Sequence, residues 1–211
     1  MSNVKVNYQF YNFGPFVMKS KMPNSIIKKL LVEGKKQKES YNHKLAGHLD
    51  HQFKYDQKTM KWFYDRATPY IQAYRNGHCK YHNVEDVKVE LTADDLWVNF
   101  MKAGDFNPLH THGGDYSFVL FLDIPKELEK EQKEFQGTGT KPGALLFEFT
   151  QPARPKWATT GHAILPKAGD FYMFPALLQH WVCPFKSKVT RVSVSGNITI
   201  LGKDKFKRDY F

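Results

Sequence analysis

Residues 189–201 read VTRVSVSGNITIL, and their side chains alternate between apolar and polar with a period of two. Alternate side chains of an extended strand point to opposite faces of a sheet. Val192 and Val194 therefore share one face, while Arg191 and Ser193 share the other. The stretch predicts a β-strand with one apolar and one polar face.

Two interpretations of the polar face remain open at this point. It is either the water-exposed side of a half-buried strand, or it is turned into the interior of a barrel. In the second case Arg191 is a buried cation that needs a carboxylate partner, and small serines beside it leave room for a ligand. Periodicity alone does not choose between the two.

The same period of two recurs along the second half of the chain. Around Leu96 and Val98, apolar residues alternate with Trp97, Asn99 and Met101. Turn residues such as Gly and Pro separate further apolar runs, which we predict as strands at 116–122, 144–150, 162–165, 170–174 and 179–183. Many short strands after a helical portion predict a β-sandwich or jelly-roll barrel, with helices covering one side.

The first half of the chain has the spacing of amphipathic helices. Ile26, Ile27, Leu30 and Leu31 form one apolar stripe, and residues 62–74 form a second. Pro69 interrupts the second stripe, so we expect a kink or two shorter helices there. The charged run KELEKEQKEF that follows Pro125 predicts a further, solvated helix between strands.

We therefore expect one domain that spans residues 1–211. It would consist of a helical N-terminal portion (1–85), a β core (86–201) and a basic tail (202–211). The fold class is mainly β with α, and the N-terminal helices pack on one sheet.

The composition indicates a folded protein. The chain has 211 residues, of which 41% are hydrophobic and 15% aromatic, and this excludes a wholly disordered chain. No apolar run reaches the roughly 18 residues of a membrane span. The N-terminal sequence MSNVKVNYQF lacks the layout of a signal peptide. We therefore expect a soluble, cytoplasmic protein without a membrane partner.

The net charge of +10 does not by itself indicate a nucleic-acid-binding protein. The two flanks of the chain are basic, whereas residues 91–182 carry more acidic than basic side chains. The sequence contains no zinc finger, basic heptad region or RRM signature. A solvated, lysine-rich surface is the favoured interpretation. Cys79 and Cys183 are too far apart for a metal-binding pair, and we expect two free thiols.

Three histidines stand out among the nine. His110 and His112 are two residues apart, so on an extended segment both imidazoles point the same way and can reach one metal ion. Asp115 follows closely enough to contribute a carboxylate if the intervening glycines turn the chain. His180 ends the apolar segment GDFYMFPALLQHW. A single histidine of this kind is more often a core residue, and His-x-His alone is weak evidence.

In combination, these motifs resemble the iron(II)/2-oxoglutarate-dependent dioxygenases, and most closely their prolyl-4-hydroxylase-like branch. The order His110-x-His112, His180, then Arg191-x-Ser193 is similar to that of the family. So are the approach to the first histidine, KAGDFNPLH (102–110), and the segment PKAGDFYMF (166–174), which has the family's P-x-x-G-x-x-x-x-F spacing. The resemblance spans roughly residues 95–200, and its parts occur in the family's order.

The resemblance implies a double-stranded β-helix, or jelly roll, that oxidises a substrate with Fe(II), O2 and 2-oxoglutarate. Succinate and CO2 would be released, and hydroxylation is the expected reaction. Arg191 and Ser193 would bind the distal carboxylate of the cosubstrate, and Asn99 and Met101 would line its pocket. The primary substrate is not specified, with a prolyl residue in a protein or peptide as the expectation at family level.

One position departs from the family pattern. His112 stands where the family has the acid of a two-histidine, one-carboxylate site. Either His110, His112 and His180 hold iron together, or Asp115 supplies the third ligand. Two further hypotheses stay open: a cupin-type enzyme with three histidines that does not use 2-oxoglutarate, and a non-catalytic jelly-roll binding module. Arg191 argues against the cupin, which needs no buried arginine there.

Overall fold

The structure, a computed structural model, describes residues 14–85, 88–149 and 161–202 of the chain. Its helices are α1 (Asn24–Gly34), α2 (Gln57–Tyr81) and α3 (Lys126–Glu134), with a short 3₁₀ turn at Asn42–Lys44. Its strands are β1 (Met18–Lys21), β2 (Gln52–Lys54), β3 (Glu90–Met101), β4 (Asn107–His110), β5 (Tyr116–Asp123), β6 (Leu145–Glu148), β7 (Gly161–Ile164), β8 (Asp170–Pro175), β9 (His180–Val182) and β10 (Arg191–Leu201).

The strands form two antiparallel sheets. The larger sheet has the order β1-β8-β5-β10-β3-β2, and the smaller has the order β4-β9-β6-β7. The fold is a jelly roll, mainly β with some helices, which confirms the predicted fold class. Each strand predicted from residue 116 onward is present to within a few residues, and Thr150 lies outside the described residues.

Two hydrophobic clusters lie on opposite faces of the larger sheet. One joins α1 and α2 to the sheet through residues such as Leu30, Phe63 and Val194. The other lies between the two sheets and contains residues such as Phe121 and Phe147. The apolar face of β10 therefore packs on the helices, while its polar face is turned into the barrel.

Helix α2 runs unbroken through Pro69, so the expectation of two shorter helices is wrong. Pro69 is exposed, and its ring lies on the solvent side of the helix. In the turn before the proline, the Thr68 hydroxyl donates to the Tyr64 carbonyl at 2.8 Å. Packing of Phe63, Ala67 and Ile71 in the core holds the helix together where propensity alone would break it.

The portion 1–85 is not purely helical, because β1 and β2 add strands to the two edges of the larger sheet. Their sequences, MKSK and QFK, are too short and too polar to show an alternating pattern. Pairing with β8 and β3 makes them strands, and this pairing is a tertiary effect. The tail beyond residue 202 lies outside the described residues. No helix of the described part is both long and apolar enough to cross a membrane.

Candidate active site between the two sheets

A cavity of about 380 Å³ opens between the two sheets of the jelly roll. The inner faces of β3 and β10 form one wall, and β4 and β9 from the smaller sheet form the opposite wall. The segment between residues 41 and 52 lies along a third side. Most residues singled out from the sequence line this one cavity: His110, His112, His180, Arg191, Ser193, Asn99 and Met101.

The three histidines converge on one point of the cavity wall. One ring nitrogen from each of His110, His112 and His180 lies within 4.8 Å of the other two. The Nε2 atoms of His112 and His180 are 3.0 Å apart. Within the part of the chain that the structure describes, this is the one group of three or more His, Cys, Asp or Glu side chains that converges in this way. Three imidazole nitrogens at this spacing suit a transition-metal ion.

Backbone carbonyls orient two of these rings. His110 Nδ1 lies 2.7 Å from the Pro108 carbonyl, and His180 Nδ1 lies 2.8 Å from the Leu178 carbonyl. Because a carbonyl can only accept, each Nδ1 carries the proton, and each Nε2 keeps its lone pair. Such hydrogen bonds hold metal-binding histidines in the required tautomer.

The electrostatic environment keeps the three rings neutral. Burial lowers the pKa of His112 to about 3, and repulsion by His180 and His110 adds to the effect. Burial also lowers the pKa of His180 to about 4, helped by His110, and lowers the pKa of His110. A metal ligand must be deprotonated, so the site is prepared for a metal at neutral pH.

Arg191 lines the same cavity as a buried cation. The residue is 3% exposed, and in the described residues its guanidinium forms no ion pair. One terminal nitrogen contacts Met101 Sδ at 3.1 Å, the Phe121 ring lies 4.9 Å away, and Nε has no hydrogen-bond partner. Burial lowers its pKa to about 10, so it stays charged at pH 7. An isolated buried cation is costly, and this cavity can admit a compensating anion.

Asn99 and Ser193 lie beside Arg191 on the same inner face. Both are buried, and Asn99 Nδ2 donates to Ser193 Oγ at 3.4 Å. Met101 is directly opposite Arg191 in the pairing of β3 with β10. Cation, hydroxyl, amide and thioether therefore surround one end of the cavity, a suitable setting for a carboxylate.

Asp115 has a different role in the structure. Its carboxylate accepts a hydrogen bond from the Ile200 backbone N–H at 2.8 Å. Its own backbone groups bond Ile198 and Ala176, so it ties β10 to the chain around β5 and β8. It does not belong to the converging group of three histidines.

Two of the cavity-lining residues that were not selected from the sequence contact the selected ones directly. Trp97 lies with its ring 5.9 Å from that of His112, and the alternation that it shares with Asn99 and Met101 could have indicated it. Gln52 is 2% exposed and donates from Nε2 to Asn99 Oδ1 at 2.8 Å. It lies in a short polar strand of the N-terminal portion, where no sequence signal points to it.

Histidines outside the triad do not join the site. His48 stacks on Phe106 at 4.6 Å between ring centroids, and His51 Nε2 lies 2.6 Å from Lys102 Nζ. His78 is half-buried between Tyr74 and Tyr116, remote in the chain from the cavity-lining strands.

Comparison with known proteins is consistent with this geometry. Residues 95–197 match the family described as putative 2OG-Fe(II) oxygenases, and this range contains all three histidines and Arg191. No curated protein matches the chain in sequence.

Solved structures of similar fold include three prolyl hydroxylases. The viral collagen prolyl hydroxylase of Paramecium bursaria Chlorella virus 1, in complex with 2OG, superposes with a TM-score of 0.54 at 15% identity, covering 88% of this chain and 96% of that one. A Pseudomonas putida prolyl-4-hydroxylase gives 0.52 at 14% identity, covering 85% and 90%. The Trichoplax adhaerens prolyl hydroxylase, bound to a peptide fragment of the hypoxia inducible factor, gives 0.56 at 9% identity, covering 90% and 84%.

Just under half of the chain, residues 95–197, is thus similar to the 2OG-Fe(II) oxygenases. The description of that family names Fe(II) and 2OG, and the viral prolyl hydroxylase of similar fold is a complex with 2OG.

Proposed function

We propose that His110, His112 and His180 hold Fe(II) and that Arg191 and Ser193 bind the distal carboxylate of 2-oxoglutarate. The observation that carries this proposal is one cavity lined both by three converging imidazoles and by a buried guanidinium that forms no ion pair in the described residues. Burial leaves the guanidinium Nε without a hydrogen-bond partner, and three imidazole nitrogens converge on one point. A metal and a carboxylate would satisfy both.

When bound, iron would supply the chemistry that activates O2, with 2-oxoglutarate as the co-reductant: one oxygen atom would enter the substrate and the other succinate, with release of CO2. The chain's own residues bind, orient and enclose. The carbonyls of Pro108 and Leu178 keep the Nε2 lone pairs of His110 and His180 available. Arg191 fixes one end of the cosubstrate by a charge-assisted contact, and Asn99 and Met101 line the pocket around it.

Three neutral imidazoles give this site one negative charge fewer than a two-histidine, one-carboxylate site. His112 is favoured over Asp115 as the third ligand, since its ring nitrogen lies among the other two while the Asp115 carboxylate bonds Ile200. Arg191 disfavours a three-histidine enzyme without 2-oxoglutarate, because such an enzyme leaves the buried cation without a purpose.

The decisive experiment measures succinate formed from 2-oxoglutarate by the protein reconstituted with Fe(II), without any added substrate. We expect slow, iron-dependent turnover. His180→Ala should abolish both iron retention and turnover, since two remaining ligands are too few at neutral pH. His162→Ala, an exposed histidine on β7, is the control and should change neither. Full activity of His180→Ala would overturn the assignment.

For the primary substrate we propose a peptide hydroxylated at a prolyl residue. The support comes from structures of similar fold that are prolyl hydroxylases, one with a bound peptide. In this chain, Tyr41 and Trp97 line the cavity with ring centroids 6.0 Å apart, and aromatic surfaces of this kind suit proline rings.

Proline-rich peptides should accelerate succinate release and gain one oxygen atom, detected by mass spectrometry. The matched control is the same peptide with alanine at each proline. Unchanged turnover and unmodified peptide would exclude prolyl residues as the substrate, while leaving the iron and 2-oxoglutarate sites as proposed.

A further inference from the structure

A row of three buried polar side chains crosses the inner face of the larger sheet. Gln52 on β2 is directly opposite Asn99 on β3, and Asn99 is directly opposite Ser193 on β10. All three are at most 6% exposed, and all three line the cavity. The first member, Gln52, lies outside the range 95–197 that matches the family.

The hydrogen bonds in this row run in one direction. Gln52 Nε2 donates to Asn99 Oδ1 at 2.8 Å, and Asn99 Nδ2 donates to Ser193 Oγ at 3.4 Å. A hydroxyl that accepts a hydrogen bond from one neighbour keeps its own proton for another acceptor. The Ser193 hydroxyl is therefore left to donate into the cavity.

The opposite direction would remove that donor. If the Asn99 amide were turned over, its oxygen would face Ser193, and the serine would donate to Asn99 instead. Gln52 prevents this, because its amide nitrogen needs an acceptor and the Asn99 oxygen supplies one. The orientation of Gln52 thus sets the direction of the whole row.

The row of polar side chains ends beside the guanidinium of Arg191, a buried cation. Ser193 is two residues from Arg191 on the same face of β10, and the Arg191 Nε has no hydrogen-bond partner. A guanidinium with a hydroxyl donor next to it can bind both oxygens of a carboxylate.

The buried amide of Gln52 lowers the stability of the fold, so packing does not explain the presence of a glutamine at this position. Its Oε1 is buried without a hydrogen-bond partner. Leaving a buried acceptor unsatisfied destabilises the fold, and an apolar side chain of the same size would avoid this loss.

We propose that Gln52 is a positioning residue for the cosubstrate: it fixes the Asn99 amide so that the Ser193 hydroxyl donates to the distal carboxylate of 2-oxoglutarate. The inference rests on the proposed function and extends the cosubstrate site into the N-terminal portion of the chain. Gln52 acts through Asn99 and Ser193.

A double-mutant cycle tests this relay, by which we mean the action of Gln52 on the cosubstrate through Asn99 and Ser193. 2-Oxoglutarate is titrated calorimetrically into the Fe(II)-loaded protein without oxygen, for wild type, Gln52→Met, Ser193→Ala and the double variant. We expect Gln52→Met to weaken binding about three- to tenfold, the effect of one lost hydrogen bond. In the Ser193→Ala background, the same change should have no further effect. Additive losses, or no loss in the single variant, would overturn the proposal.

Two additions separate the relay from a structural effect. Gln132→Met, a buried glutamine that donates to the Pro142 carbonyl, is the matched control and should leave 2-oxoglutarate affinity unchanged. With 2-oxopentanoate, which has a methyl group in place of the distal carboxylate, Gln52→Met should bind as the wild type does. An equal loss for both ligands would show that Gln52 acts only on the fold.

If Gln52→Met does not fold, Gln52→Asn takes its place in the cycle, because the shorter amide cannot reach Asn99. The Arg191→Gln variant tells which proposal fails. If Arg191→Gln leaves 2-oxoglutarate affinity intact, the proposed cosubstrate site is wrong. If Arg191→Gln weakens binding while Gln52→Met does not, only the relay is wrong.

Discussion

Arg191 links the stability of the protein directly to its proposed function. A buried guanidinium whose Nε has no partner destabilises the ligand-free fold, and its contacts with Met101 and Phe121 compensate only in part. The same charge becomes favourable once a carboxylate lies against it. Stability and cosubstrate binding therefore make opposite demands on this position.

We predict that Arg191→Met stabilises the ligand-free protein by about 1–3 kcal/mol, because an apolar side chain of similar length removes an uncompensated buried charge. The same variant should lose 2-oxoglutarate binding by at least about tenfold. Chemical denaturation and calorimetric titration measure the two effects. Arg191→Lys is the control: it keeps the charge, so it should not be stabilised. A destabilised Arg191→Met would show that the guanidinium is paired after all.

His112 and Asp115 give a second prediction at single positions. His112→Ala should remove iron, because it deletes one of the three converging nitrogens. Asp115→Asn should retain iron while losing about 1 kcal/mol of stability, since a neutral amide oxygen is a weaker acceptor for the Ile200 N–H than the carboxylate is. Iron content and thermal unfolding of the two purified variants are measured side by side. Tight iron retention in His112→Ala, with loss in Asp115→Asn, would make Asp115 the ligand.

Strand β10 carries the polar wall of the site, and one of its residues must be glycine. A Cβ at Gly196 would lie 2.6 Å from both Phe118 Cζ and Tyr64 Oη, and 2.7 Å from the Asp95 carbonyl oxygen. The Tyr64 hydroxyl donates to that carbonyl at 2.7 Å, so α2 approaches β3 and β10 closely at this point.

We therefore predict that Gly196→Ala lowers the free energy of unfolding by at least about 2 kcal/mol through overpacking against rigid neighbours. Gly139→Ala is the matched control, because a Cβ there meets nothing within 4 Å. Urea denaturation of the two variants measures the effect. Equal stability of both would mean that α2 moves away from the sheet without cost.

Elements with a strong internal pattern could be predicted from the sequence. The alternation along β10 predicts its two faces, and the His110–His112 spacing predicts two imidazoles on one side. The alternation does not show what the polar face of β10 lies against. Whether this face is exposed to water or lines a cavity depends on the position of the opposing sheet. Strand β2 shows the limit, since QFK becomes a strand only by pairing with β3, and Gln52 enters the site through that pairing.

In the whole molecule, the two faces of the larger sheet have different roles: one packs against the helices, and the other lines the cavity. The helix-side cluster contains α1 and α2 with fully buried residues such as Leu30 and Phe63, and it gives the sheet a rigid backing. On the barrel side, part of the space between the sheets is a cavity, and buried polar side chains such as Arg191 and Asn99 stand where apolar side chains would otherwise pack. The helices thus support a sheet whose other face is weakened by its site.

The molecule also buries histidines on both sides of the sheet, which makes its stability depend on pH. On the helix side, burial lowers the pKa of His78 to about 4, and the neighbouring His82 adds repulsion. His78 Nδ1 lies 3.3 Å from the Tyr116 hydroxyl, and its ring packs on Tyr74. On the cavity side, the pKa values of His112 and His180 are lowered in the same direction.

Each of these histidines has a lower pKa in the folded than in the unfolded chain, where it is about 6.5. Between pH 6.5 and about 4 the unfolded chain therefore binds protons that the folded protein does not, so the free energy of unfolding falls as the pH falls through this window.

His78→Phe keeps an aromatic ring but cannot titrate. We predict that, between pH 7 and pH 4, the free energy of unfolding of the metal-free variant falls by about 1–2 kcal/mol less than that of the metal-free wild type. His78 is only half-buried, so solvent screening makes this difference smaller than the full shift of its pKa would give. His43→Phe, a histidine packed against Tyr41 rather than in this cluster, should behave as the wild type. Denaturation of the three metal-free proteins at both pH values measures the difference, and parallel losses in all three would show that the fold does not lower the pKa of His78.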